Sequence, residues 1–225
     1  MKKFLFRKLY LLKLFPVFFL WIGIGLLSSA LLFYFYKHYE ESLLLKGYFL
    51  IQVFIWVGLG YFLRKAYIST YKDELTNLWN RRYLYIRLGD ELNSLGKDLF
   101  LSLAIIDVDN FKCINDTFGH LFGDHVLQEV ASVLQRHLRK KDILVRWGGE
   151  EFVIILPRTD LEGAKIVFDR IRKKIETYDF GCRVTISGGI AFVDESIYLD
   201  RLIEMADQAL YQAKKSKNRM VVYGR

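Results

Sequence analysis

Ile143-Leu-Val-Arg-Trp-Gly-Gly-Glu-Glu-Phe-Val-Ile-Ile-Leu156 is the stretch from which the fold is read outward. Two β-rich apolar runs flank Gly148-Gly149-Glu150-Glu151. A glycine pair between such runs predicts a β-hairpin, because glycine lets the backbone take φ > 0 at the turn. A plain hairpin has no need of two adjacent carboxylates entering an apolar strand. Glu150 and Glu151 are either the solvated shoulders of a turn or ligands, and the hairpin alone does not choose between them.

Upstream, Leu101-Ser-Leu-Ala-Ile-Ile-Asp-Val-Asp-Asn110 is apolar up to Asp107 and then turns acidic. That is the pattern of a buried strand ending in carboxylates, a common way to present oxygen to Mg²⁺. Asp109 can instead cap the next helix, which is compatible with a metal role for Asp107.

The remaining elements follow from periodicity. Asp73 to Asn80 reads as a turn that opens a domain. Arg81 to Leu95 is an amphipathic helix ended by Gly96. Phe100 to Ile106 is a strand. A helix starts over Asn110 to Asp116 and breaks around Gly119 to Gly123. Asp124 to Leu138 then carries Val126, Leu127, Val130, Val133, Leu134 and Leu138 on one helical face. After Pro157 come a helix over Leu161 to Ile175, a strand over Val184 to Phe192, a helix over Leu199 to Ala213 and a last strand over Arg219 to Tyr223. The order predicts an α+β domain with one antiparallel-rich central sheet flanked by helices.

Asp107-Val-Asp-Asn-Phe-Lys-Cys-Ile-Asn115-Asp, Gly119-His120 followed by Gly123-Asp124, and Arg146-Trp-Gly-Gly-Glu-Glu-Phe152 stand in the order and spacing of the GGDEF family of diguanylate cyclases. Asp73-Glu-Leu-Thr-Asn-Leu-Trp-Asn-Arg-Arg82 resembles that family's entry motif. The resemblance runs from about Asp73 to the C-terminus. It implies a palm-like fold, similar to polymerase palms and class III nucleotide cyclases. It implies two Mg²⁺ (or Mn²⁺) per active site, with Asp107, the Val108 carbonyl and Glu150 as ligands and Glu151 beside them. Gly148 and Gly149 would let the backbone approach the nucleotide closely, which a Cβ obstructs.

By the same resemblance Asn115 and Asp124 hold guanine. An aspartate accepts from guanine N1–H and N2–H₂, donors that adenine lacks, so Asp124 would select against ATP. Capping of the following helix is the alternative for Asp124. The Phe111-Lys112 backbone would face the β- and γ-phosphates, and Lys214 is the family's phosphate-binding lysine. Beyond it this chain reads Ala213-Lys-Lys-Ser-Lys217-Asn218-Arg219, without the family's glycine. The second phosphate contact is therefore Lys217 or Arg219. Asn110 also departs from the family's His or Phe. Arg139-Lys-Lys-Asp142, six residues before Gly148, resembles the family's RxxD product-inhibition site, with Arg170 as its second arginine.

Charge is divided along the chain. Residues 1–72 contain ten Lys/Arg and two Asp/Glu, whereas residues 73–225 contain 23 of each. A neutral C-terminal domain argues against nucleic-acid binding, which requires its own basic patch. Cys113 and Cys182 have no CxxC partner, which argues against a zinc or disulfide framework and predicts buried or half-buried thiols. Residues 14–36 run uncharged, and residues 42–63 are apolar except for Lys46. Both are long enough to cross a bilayer. Lys/Arg before the first span and after the second place both termini and the catalytic domain in the cytoplasm.

The expected organisation is a two-helix transmembrane hairpin within residues 1–66, a connector at 67–72 and a GGDEF domain at 73–225. The expected protein sits in the inner membrane, in the lipid bilayer. It acts as a homodimer that condenses two GTP into cyclic di-GMP, whose rebinding at the RxxD site inhibits it. The rival is an inactive GGDEF domain serving as a cyclic di-GMP receptor or membrane scaffold; such domains usually lose the metal acids or the glycines.

Overall fold

The computed structural model describes residues 23–25, 27–31, 34, 37, 43–93, 100–195 and 197–224. The chain forms two compact units, Met1–Ala66 and Tyr67–Arg225.

In the first unit, α1 (Leu43–Ser69) contains Gly47–Ser69, 23 residues of mean hydropathy 1.4. Its length and composition suffice to cross a membrane. The helix runs past the expected end at Leu63 and takes in half of the connector, ending at Ser69. The first expected span, 14–36, lies largely outside the described residues; those described within it are helical. Two contacts tie it to α1. A Cβ on Gly25 would lie 2.5 Å from the Trp56 ring, and Gln52 donates to Ser28. Small residues and side-chain hydrogen bonds are what lets apolar helices associate without a hydrophobic drive.

The second unit is a three-layer α/β/α sandwich. Its elements in chain order are β1 (Trp79–Asn80), α2 (Arg81–Asn93), β2 (Leu101–Val108), α3 (Phe111–Phe118) and α4 (His120–Arg136). Then come β3 (Ile143–Gly148), β4 (Glu151–Pro157), α5 (Leu161–Thr177), β5 (Ile186–Val193), α6 (Leu199–Lys214) and β6 (Met220–Val222). The sheet order is β1-β3-β4-β2-β5-β6. Its three inner pairings are antiparallel and its two edge pairings parallel, so the sheet is mixed and antiparallel-rich as expected. The sequence reading lacks β1, a two-residue strand paired with Val145 and Arg146.

Both sheet faces are covered, which is why β2 and β4 read as continuous apolar runs. Ala104, Ile106, Phe152, Ile154 and Ile190 face α3, α4 and α5. Leu103, Ile105, Val153, Ile155 and Ala191 face α2 and α6. Gly189 sets the distance of α6 from the sheet. A Cβ there would lie 2.0 Å from the Ala206 carbonyl oxygen and 2.2 Å from the Leu210 nitrogen, backbone that cannot move aside. This contact brings the C-terminal end of α6 to the end of β2.

Candidate active site

Register places the first acids. Asp107 pairs directly with Glu151 on β4 and with Ser187 on β5. By strand alternation Asp107 follows Leu103 and Ile105 onto the α6 face, and Glu151 precedes Val153 and Ile155 onto the same face. Two carboxylates directly opposite each other destabilise a sheet unless a cation joins them. Lys214 Nζ, from the end of α6, pairs with Asp107 Oδ1. Burial, and after it the charges of Glu150 and Asp109, hold the Asp107 carboxyl above its ordinary range despite Lys214. Burial first, then Asp107, Asp207 and Glu150, push Glu151 up as well.

The hairpin turn delivers Glu150. The Val108 N–H donates to the Glu150 carbonyl at 3.3 Å, which pins the turn to the end of β2. Of the two glycines only Gly149 takes a positive φ, +51°. Gly148 instead closes β3 beside an irregularity after Arg146. Apart from each glycine's own chain neighbours, no atom of the described residues lies within 4 Å of where a Cβ would sit on either glycine. That open space is consistent with close approach by a ligand.

Arg146 braces the turn from behind. Its Nε and Nη2 donate to the Gly149 carbonyl at 3.0 and 2.9 Å, and Nη1 donates to Asp73 Oδ1 at 2.9 Å. Trp147 is gripped on its other side, with the Arg81 guanidinium 4.2 Å from its ring. This brace links the entry motif to the acidic turn across 73 residues and is absent from the sequence reading.

These residues fit a hard divalent cation. Asp107, Glu150 and the Val108 carbonyl are oxygen donors, and the mutual repulsion of the acids calls for positive charge. Among the described residues no three His, Cys, Asp or Glu side chains hold an ion unaided. That suits Mg²⁺, which takes one or two carboxylates and completes its shell with waters and substrate phosphates.

Next to the acids the N-terminus of α3 forms a candidate anion cradle. Asn110, at φ 56°, is the N-cap of α3 and makes no side-chain cap bond. Asp109 therefore does not cap the helix. It is 3% exposed and turns inward to Thr185 and Ser187. The first-turn N–H groups, Phe111 and Lys112 among them, have no intrahelical acceptor and carry the positive end of the helix dipole. Lys217 Nζ reaches Asn110 Oδ1 from the turn after α6.

The α3–α4 corner brings Asn115 and Asp124 near each other. The helix break is shorter than expected: it is Gly119 alone, at φ +85°, and α4 begins at His120. Asp124 therefore lies in the second turn of α4 and is not an N-cap; its side chain is exposed. Asn115 Oδ1 is buried without a hydrogen-bond partner. A Cβ on Gly123 would stand 1.8 Å from that oxygen, so any larger residue there must displace the Asn115 amide. Cys113, expected to be at least half buried, is exposed on α3, whereas Cys182 is half-buried.

The expected inhibitory residues assemble at the far end of α4. Asp142 Oδ2 accepts from the Arg139 N–H at 2.8 Å, and the Asp142 N–H donates to the Arg139 carbonyl at 3.0 Å. Asp142 Oδ1 is buried with no partner. Arg170 of α5 donates to the His137 carbonyl at 2.9 Å, two residues before Arg139.

Residues 70–220 match the family model "Diguanylate cyclase, GGDEF domain". Diguanylate cyclase DgcP of Pseudomonas aeruginosa is 42% identical over 150 residues, covering 64% of this chain and 22% of that protein. Response regulator PleD of Caulobacter vibrioides is 42% identical over 160 residues, covering 67% of this chain and 35% of that protein. This chain thus spans about a fifth to a third of those relatives' length. Among solved structures, the coiled coil and GGDEF domain of DgcB from Caulobacter crescentus, in complex with c-di-GMP, superposes with a TM-score of 0.74. It is 28% identical, over 79% of this chain and 98% of that one. The active GGEEF domain of a Vibrio cholerae diguanylate cyclase superposes with a TM-score of 0.61 at 32% identity, over 65% of this chain and 97% of that one. With acids, glycines and cradle in the family's order on the family's fold, this chain belongs to the GGDEF family of diguanylate cyclases.

Proposed function

We propose that the chain is a membrane-anchored diguanylate cyclase that joins two GTP into cyclic di-GMP and releases two pyrophosphates. The observation that carries this reading is the β2–β4 register, which sets Asp107 opposite Glu151 and beside the Glu150 turn. No acid or glycine of the motif is lost, which speaks against an inactive receptor domain.

Asp107, the Val108 carbonyl and Glu150 would hold Mg²⁺ or Mn²⁺, which neutralises triphosphate charge and makes the attacking oxygen more nucleophilic. The first turn of α3, with Phe111 and Lys112, cradles the β- and γ-phosphates, and Lys214 leaves Asp107 to meet them. Asn115 and Asp124 orient guanine. Each nucleotide's 3′-hydroxyl attacks the α-phosphate of the other, so two chains must face each other as a homodimer. Positioning and fixed charge supply most of the acceleration.

Arg139, Asp142 and Arg170 form the product site in this reading. The support is their convergence at the end of α4 and the unpartnered Asp142 Oδ1, which a guanine N–H can satisfy. The length and hydropathy of α1 support one membrane span; the uncharged run over residues 14–36 is read as its hairpin partner, and the Lys/Arg before the first span and after the second put both termini in the cytoplasm in this reading. Purified protein incubated with Mg²⁺ and GTP should yield cyclic di-GMP, and added cyclic di-GMP should slow it without competing with GTP. Absence of product at any GTP concentration would overturn the reading.

A further inference from the structure

Asp109 is the one charged residue buried among the described residues, and the cyclase reading gives it no task. A buried carboxylate is costly unless its lone pairs are met by donors. Here they are met four times. Oδ1 accepts from Ser187 Oγ at 2.7 Å and from Lys214 Nζ at 3.4 Å. Oδ2 accepts from Thr185 Oγ1 and from the Asn218 backbone N–H, both at 2.9 Å. The hydroxyls lie at and just before the start of β5 and aim the carboxylate. The other two donors belong to the end of α6 and the turn that follows it.

Those two bonds have a direct consequence for the cations. Lys214 sits between Asp107 and Asp109, so its ammonium is held over the end of β2 by two carboxylates. The Asn218 bond draws the turn after α6 over the same place. In that turn Lys217 and Asn218 take φ values of 57° and 46° without being glycine, a conformation that local sterics disfavour. The bond to Asp109 helps hold it. The Lys217 side chain thereby lands on Asn110 Oδ1, between Asp109 and the α3 cradle. Arg219 stands one residue past the turn, and its backbone carbonyl accepts from the Gly188 N–H at 2.9 Å. It lines a hollow with Lys165, Asp169 and Arg172 of α5.

We propose that Asp109 is a positioning residue that seats Lys214 and the turn carrying Lys217, so that both ammonium groups meet the triphosphate, with Lys217 and not Arg219 as the second. The proposal rests on the reading of this cleft as a GTP site. Asn110 completes the arrangement, because its amide oxygen holds Lys217 in the absence of phosphate.

The test is a double-mutant cycle on the full chain in detergent, read as affinity for a non-hydrolysable GTP analogue with Mg²⁺. Asp109→Asn should weaken binding about tenfold, the scale of losing an outer residue that orients a ligand-binding group. Lys214→Ala should weaken it comparably. The double variant should then be within about twofold of the worse single one, since both remove the same interaction. A purely structural Asp109 predicts instead that the two losses multiply, and that result overturns the proposal. If Asp109→Asn does not fold, the second arm decides. Lys217→Ala should weaken analogue binding severalfold and Arg219→Ala should leave it within error; the reverse ranking overturns the proposal. A wild type that binds no analogue at all refutes the GTP reading itself, which separates the two failures.

Discussion

The two ends of the proposed nucleotide cleft are built in opposite ways. At the acidic end the charges are largely answered within the protein: Asp107 by Lys214, Asp109 by four donors, and Arg146 by Asp73 and the Gly149 carbonyl. At the base end the α3–α4 corner leaves Asn115 Oδ1 buried without a partner and Asp124 exposed. An end that handles phosphate and metal needs fixed geometry, because catalysis by positioning fails when charges wander. An end that chooses the base needs open hydrogen-bonding capacity, because discrimination comes from polar groups that only the correct ligand satisfies.

The sharpest way to break this contrast is to neutralise the acidic end. Glu150→Gln or Asp107→Asn should lower cyclic di-GMP synthesis by roughly a thousandfold, the scale of removing one preorganised electrostatic group. Circular dichroism should show the fold retained. Turnover at the wild-type rate in a folded variant would remove these residues from the metal site.

At the base end Asp124→Ala should reduce the preference for GTP over ATP by about 10–100-fold, the equivalent of ~1–3 kcal/mol for an unmet polar partner. Competition between the two nucleotides measures it, and an unchanged ratio would leave Asp124 without a role in recognition. Gly123→Ala at the same corner should raise the KM for GTP about tenfold through the displaced Asn115 amide. It should also cost ~1–3 kcal/mol in stability, as overpacking does. Equilibrium denaturation and initial rates separate the two effects.

The smallest effect concerns stability at the acidic end. Glu151→Gln should raise the melting temperature by about 1–3 °C in the presence of EDTA, because it removes a carboxylate crowded by others. The sign follows from the raised pKa of Glu151 in the folded chain. A group held above its unfolded value binds protons preferentially in the native state, so it costs stability at neutral pH, and the cost falls as pH drops through the folded pKa. The gap between variant and wild type should therefore close as the buffer moves from neutral to mildly acidic. A gap that widens on acidification would contradict the crowding.

Much of the site is legible in the sequence because its signals are local. The apolar run into Asp107, the turn at Gly148-Gly149 and the helical faces of α4, α5 and α6 are short-range patterns that set local structure. The helix break at Gly119 is legible too, but its extent is not. Asp124 resembles a cap until α4 starts at His120 and carries it inside the helix. Asp109 resembles a cap until Asn110 takes the left-handed conformation and the cap position. β1 escapes because two residues carry no period, and its partner strand lies beyond four other elements.

Local sequence accounts for the inventory: the strand that ends in acids, the glycine turn, the short helix α3 and the basic end of α6. Each depends on residues a few positions apart, whose sterics and alternation act before any tertiary contact forms. Only the tertiary structure decided the partners. It set Asp107 against Glu151, Lys214 on Asp107, Arg146 between Asp73 and Gly149, and Asp109 under the turn of Lys217. These pairings join residues far apart in the chain, and they depend on strand register and on how closely α6 packs over Gly189. Register and packing distance are properties of the assembled sheet, and a one-residue slip of β2 or β4 would turn that strand's side chains, Asp107 or Glu151 among them, to the opposite face.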